Sequence, residues 1–210
     1  MQTGEWYLSR VTSQRVDRPV LRETLTLGFI GLATGIATTL INPFTGPVDA
    51  LVKEFAEGSP LGSLAWKWLA TLGPGAIFGV AVGGYLHWRY RTSVIRWMIL
   101  IAFSVGSWVI AIFATVAITR PPFDALPLPP GPYLRALPGL VGGLIGAGIL
   151  AALMSGLYPF FRGVRPVLVT LFVGALAGAP LYYEGFVVTF PLWQCAVAAS
   201  IGWALGRNRG

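Results

Sequence analysis

Residues 95–119 read IRWMILIAFSVGSWVIAIFATVAIT, twenty-five positions with a single charge, Arg96, placed second. A helix that is apolar all round belongs inside a large protein or a bilayer, and a bilayer crossing takes roughly 20 such residues. Five further stretches have the same character, at 22–41, 70–90, 134–157, 167–183 and 187–206. Across all 210 residues, 55% are hydrophobic and 11% charged, with a mean hydropathy of +0.69. A soluble domain carries about 25% charged residues, so a water-soluble globule is excluded. The reading is an all-α, polytopic membrane protein: a six-transmembrane-helix bundle spanning 21–206, with a short arm at 1–20 and a tail at 207–210. The arm has no apolar run before Leu21 and is not expected to be a cleavable signal peptide.

The charges then sort the connections. Eleven of the fifteen Lys and Arg residues fall on one side: Arg10, Arg15, Arg18 and Arg22, then Arg89, Arg91 and Arg96, then Arg162 and Arg165, then Arg207 and Arg209. The other side holds Lys53, Lys67, Arg120 and Arg135, with Asp49, Glu54, Glu57, Asp124 and Glu184. Basic loops resist translocation. Both termini are therefore expected in the cytoplasm, in a bacterial-type inner membrane. The net charge of +7 is spread over four short segments, which argues against nucleic acid as a partner and for the bilayer itself.

Proline follows the opposite bias. Only Pro19, Pro159 and Pro166 lie on the arginine-rich side, and the other thirteen lie on the outer one. Pro74, Pro180 and Pro191 are expected to interrupt helices there. In the outer connection 42–69, Val48, Leu51, Val52 and Phe55 at helical spacing predict an interfacial amphipathic helix over 47–57, followed by Trp66 and Trp68 as anchors. The second outer connection, 120–134, is proline-rich and predicted to be extended.

Glycines spaced four apart predict smooth helix faces: Gly31 and Gly35; Gly75, Gly79 and Gly83; Gly139 and Gly143; Gly142 and Gly146; Gly174 and Gly178; Gly202 and Gly206. The span at 95–119 lacks such a pair and shows Trp97, Phe103, Trp108 and Phe113, so it is expected at the periphery. Gly28, Gly31 and Gly35 share their spacing with Gly139, Gly142 and Gly146, as an inverted repeat would require. The clustering of proline breaks on one side argues against such a repeat.

Chemistry is sparse. One cysteine, Cys195, and one histidine, His87, exclude disulfides, thiolate metal cages and bis-histidine haem. Cys195 reads as a packing residue and His87 as an interfacial anchor. No charged residue is expected mid-span, which removes a proton relay; Thr34, Thr38 and Thr39 leave sodium coordination open. No catalytic motif is present, so the chain is not expected to be an enzyme, and no cofactor or metal is implied.

What remains is a polar and aromatic set near the outer mouth: Asn42, Asp124, Tyr182, Tyr183, Glu184, Trp193 and Gln194. Aromatic belts explain some of these; a ligand pocket would use the same residues. In size, six spans, cytoplasmic termini and a long first outer loop, the chain resembles the substrate-binding subunits of energy-coupling-factor vitamin transporters. Ala33-x-x-x-Ala37 is similar to their coupling motif, although it sits deeper toward the outside. The resemblance implies capture of a small-molecule solute, energised by a partner membrane protein. The alternative is a non-catalytic scaffold or assembly subunit that contacts partner membrane proteins, or a second copy of itself, through its aromatic third span and outer loops.

Overall fold

The computed structural model describes residues 3–41, 60–119 and 132–207, and side chains over 19–41, 71–118, 136–181 and 187–207. Six α-helices lie within these residues: α1 (Thr3–Ile41), α2 (Pro60–Tyr90), α3 (Val94–Thr119), α4 (Pro132–Leu157), α5 (Val164–Gly178) and α6 (Leu181–Arg207), with a 3₁₀ turn at Pro159–Phe161 between α4 and α5. Each helix packs on its neighbours in the chain, and α1 packs most extensively on α6. The order α1-α2-α3-α4-α5-α6 thus closes on itself as a ring of helices, with α4 also meeting α6 inside it.

Short turns force successive helices antiparallel. At Arg91–Ser93 the chain reverses with Arg91 in the left-handed region (φ 52°), while the Ser93 hydroxyl accepts a bond from the Arg96 amide (3.4 Å) and caps α3. His87 closes the same turn against the Thr92 carbonyl and stacks on Trp97 at 5.6 Å, so the single histidine is a structural fastener here. Gly163, at φ 142°, leads into α5. The arginines whose side chains are described, Arg22, Arg89, Arg91, Arg96, Arg162, Arg165 and Arg207, consequently gather at one end of the ring. Pro74, Pro138, Pro180 and Pro191 lie toward the other.

Four helices are long and apolar enough to cross a membrane: Pro19–Ile41, Val94–Ile118, Ala136–Leu157 and Val187–Arg207. The chain is accordingly a helical membrane protein. The expected fifth span ends early, because α5 stops at Gly178 and Ala179–Pro180 turn the chain into α6. At 15 residues α5 is only about 22 Å long. Proline acts differently at the other two expected breaks. α2 runs through Pro74 and α6 through Pro191 as continuous helix, as membrane helices allow when neighbouring backbone and side chains compensate for the missing donor. The α2 helix also begins at Pro60, so the connection between α1 and α2 is shorter than its hydropathy suggests. The amphipathic segment 47–57 lies outside the described residues. A repeat would make α2 and α5 counterparts, but they have 31 and 15 residues.

Glycine sets the closest approaches. A Cβ on Gly139 or Gly143 would strike the carbonyl oxygens of Gly178 and Gly174, and a Cβ on Gly178 would strike that of Gly139. The α4–α5 contact is therefore backbone on backbone. Between α1 and α6 the arrangement is reciprocal: Gly31 and Gly35 admit Gln194 and Pro191, while Gly202 and Gly206 admit Glu23 and Val20. The aromatic residues of α3 divide. Phe103 and Phe113 are exposed, whereas Trp97 donates to the Val80 carbonyl (3.2 Å) and Trp108 meets Phe190 edge-on at 4.7 Å. Of the four spans α3 is the least enclosed, with 22% of its apolar window buried. The apolar core lies between the helices around Leu27, Val82, Leu86, Leu150, Met154 and Ile201.

Candidate functional site

Opposite the glycine face of α4 the ring does not fill. Trp108 meets Phe190 edge-on and Trp193 reaches as far as the Gly143 carbonyl, and between these rings and Gly139, Gly142 and Gly143 a cavity of about 80 Å³ remains between α3, α4 and α6, with Gly178 of α5 at its edge. Its wall is almost wholly apolar, completed by Ala111, Ile112, Val116 and Leu181. The polar atoms nearby are mostly committed. Thr115 Oγ1 donates to the Ala111 carbonyl (2.9 Å), with the Pro138 carbonyl at 3.3 Å. Trp193 Nε1 donates to the Gly143 carbonyl (3.4 Å), and its ring packs against Phe78 at 6.2 Å. Below it the Ser107 hydroxyl donates to the Gly146 carbonyl (2.7 Å) and ties α3 to α4. Trp108 Nε1 is buried and has no acceptor among the described residues. The cavity lies beside the ends of α3 and α4 that segment 120–131 joins.

Of the residues expected at the outer mouth, Trp193 lines this cavity and Gln194 does not. Gln194 turns the other way, into the α1–α6 seam, where its Nε2 donates to Thr38 Oγ1 (3.1 Å). Its Oε1 is buried without a hydrogen-bond partner among the described residues. Of the hydroxyls weighed as sodium ligands, Thr34 donates to the Gly31 carbonyl (2.9 Å) and Thr39 to that of Gly35 (3.0 Å), while Thr38 accepts from Gln194. Tyr182, Tyr183 and Glu184 fall in the first turn of α6, with side chains outside the described set; Asn42 and Asp124 lie outside the described residues altogether. Cys195 is half-buried in α6.

A second cluster was missed by sequence reasoning. Glu23, one residue inside the first apolar stretch, is fully buried at the arginine-bearing end. The Tyr85 hydroxyl donates to its Oε2 (2.6 Å), Arg22 Nη2 donates to Oε1 (3.1 Å), and Arg89 Nε stands 4.0 Å from Oε1. Tyr90 adds an edge-on contact with Tyr85 at 6.5 Å and lies beneath the Arg89 guanidinium at 5.9 Å. This network joins α1 to α2 and forms the inner side of a cleft of about 500 Å³ lined by Arg22, Thr26, Tyr85, Trp88, Arg89 and Arg91. The signal in the sequence was a carboxylate among arginines at a helix entry, which alone does not distinguish a solvated residue from a buried one.

No protein-family model, curated protein or solved structure matches the chain. The likeness to the substrate-binding subunits of energy-coupling-factor transporters thus rests on the sequence features alone. In the structure Ala33 is exposed and Ala37 half-buried, both in the last third of α1, away from its arginine-bearing end.

Proposed function

We propose that this membrane protein is a solute-capturing component that takes a small apolar or aromatic group, carrying one hydrogen-bond acceptor, into the cavity between α3, α4 and α6. The observation that carries the reading is an unfilled apolar space walled by Trp108, Phe190 and Trp193, with the buried Trp108 Nε1–H lacking an acceptor among the described residues. Such a combination of apolar walls and a few polar groups is how small-molecule sites are built. At about 80 Å³ the cavity has roughly half the volume of an apolar cavity that holds benzene. It therefore seats only the short end of a solute: a group the size of methoxy or ethyl enters, and the ring that carries it stays at the mouth. The role is binding without catalysis, with energy supplied by a partner.

The matched pair anisole and ethylbenzene tests this on the detergent-solubilised protein. Both should raise the unfolding temperature, anisole more than ethylbenzene because its oxygen accepts from Trp108. At about ten times Kd the gain corresponds to about 1.4 kcal/mol. Ile112→Phe, which fills the space, should abolish both effects. Failure of either compound to stabilise the unsubstituted protein, or equal stabilisation of the variant, overturns the reading. In that event recovery in fixed stoichiometry with another membrane protein would favour the scaffold, whose contact face would be the exposed α3 residues Phe103, Ile110 and Phe113.

The orientation proposed with this function has six crossings, with the arginine-bearing end and both termini in the cytoplasm of a bacterial-type inner membrane. Alkaline phosphatase fused after Arg207 should then be inactive in bacteria, and fused within 120–131 active. The reverse pattern would invert the topology and turn the aromatic cavity toward the cytoplasm.

A further inference from the structure

Arg162, Arg165 and Arg207 converge on one cleft of about 200 Å³ at the arginine-bearing end. They come from three pieces of backbone: the residue after the 3₁₀ turn, the second position of α5, and the last residue of α6. Phe160, Pro166 and Ala204 complete the wall. None of the three guanidinium groups has a carboxylate partner among the described residues; Arg207 lies over the Trp203 ring at 4.8 Å. The other basic cleft differs, because Glu23 there already pairs with Arg22 and Arg89. Three like charges directed into one concavity repel one another unless an anion sits among them.

We infer that this cleft binds the phosphodiester of an anionic phospholipid headgroup. Guanidinium forks match phosphate oxygens in pairs. Arg165 and Pro166 of the first turn of α5 line the same cleft, and the cap residue Gly163 makes no side-chain bond to that turn; Pro166 has no amide hydrogen, and that of Arg165 adds a donor and positive potential. The source is lipid because the exposed Val164, Leu168, Phe172 and Leu176 recur every four residues and run up α5 from the cleft. An acyl chain lies against such a strip; a free phosphate makes no use of it.

The test uses the full chain in detergent, with native mass spectrometry and thermal unfolding read against dioleoyl-phosphatidylglycerol, dioleoyl-phosphatidylcholine and inorganic phosphate. Phosphatidylglycerol should be retained and should stabilise, and phosphatidylcholine should do neither. Arg165→Gln with Arg207→Gln should weaken phosphatidylglycerol binding at least tenfold, since each lost charge-assisted bond is worth about a factor of ten. Arg165→Lys with Arg207→Lys keeps the charge and should retain part of the binding, which separates lost recognition from misfolding. Arg91→Gln with Arg96→Gln removes the same net charge elsewhere and should leave binding unchanged. Equal loss in that control pair, or equal retention of the two lipids, overturns the proposal. Stabilisation by inorganic phosphate as large as that by phosphatidylglycerol overturns the lipid source and reassigns the cleft to a soluble phosphate.

Discussion

Replacing Arg22 and Arg89 together by alanine is expected to cost about 3–5 kcal/mol of stability, and adding Glu23→Gln to that pair is expected to recover a large part of the loss. The asymmetry follows from burial. Glu23 is fully enclosed, whereas Arg22 and Arg89 are 60% and 36% exposed. The guanidinium groups keep contact with solvent whether or not the carboxylate is present, and an exposed ion pair by itself is worth little. The carboxylate has no such recourse. With both arginines gone it is an anion held in a low-dielectric seam by tyrosine hydroxyls, and a buried charge without a counter-ion is strongly unfavourable. Glutamine removes the charge and keeps an oxygen to accept from Tyr85, whose hydroxyl donates at 2.6 Å in the native protein. Unfolding in a detergent titration checks the cycle. A triple variant no more stable than the double would mean that the network holds α1 to α2 by shape and not by charge.

Glu23 also shows why the site was only partly legible. A glutamate one residue inside an apolar stretch, flanked by Arg22 and Thr24, has the local signature of a solvated helix entry. Its burial is decided by Tyr85 and Arg89, more than sixty positions away, and by the approach of α6, which Gly202 permits at the Glu23 carbonyl. Gln194 illustrates the same gap in the other direction. Next to Trp193 in sequence, it points away from it by helical geometry, because adjacent residues on a helix do not share a face. Trp193 therefore lines the cavity while Gln194 bonds Thr38 across the α1–α6 seam. Trp108, expected on the peripheral face of its span, and Phe190, which no pattern singled out, complete the cavity through a contact between α3 and α6 that a single stretch of sequence does not show.

The helices themselves were easier to read. Apolar length located α1, α3, α4 and α6, since in lipid every backbone group must be bonded within its own segment. Proline was the weaker guide. The same residue type ends α5 at Pro180, where a turn and a second helix follow, but lies within continuous helix at Pro74 and Pro191. What separates these cases is the environment: Gly35 allows α1 to close on Pro191, and such neighbours are invisible in a single stretch of sequence.

Gly143→Leu is expected to destabilise the bundle by about 3 kcal/mol, at the upper end of what overpacking costs, while Gly156→Leu on the same helix should change stability by less than about 1 kcal/mol. Both substitutions exchange the poorest helix former after proline for a good one, so intrinsic propensity favours each by less than about 1 kcal/mol. They differ in what the new side chain meets. At Gly156 a Cβ finds nothing within 4 Å; at Gly143 it strikes the Gly174 carbonyl, with the Gly178 Cα at 3.2 Å. Those atoms are backbone, and no rotamer change can move them aside. Relief requires α5 to withdraw from α4, and in lipid no hydrophobic gain opposes that withdrawal, because helix association rests on close contact alone. Since α5 has 15 residues and packs on α4 and α6, losing the α4 contact would leave it hinged on α6 by the two-residue turn at Ala179–Pro180. The readout is unfolding in detergent, together with the anisole effect on Gly143→Leu, which should vanish because Gly143 and Gly178 both line the cavity. Equal effects at the two positions would mean that glycine in this chain reflects composition and not the fit of α4 against α5.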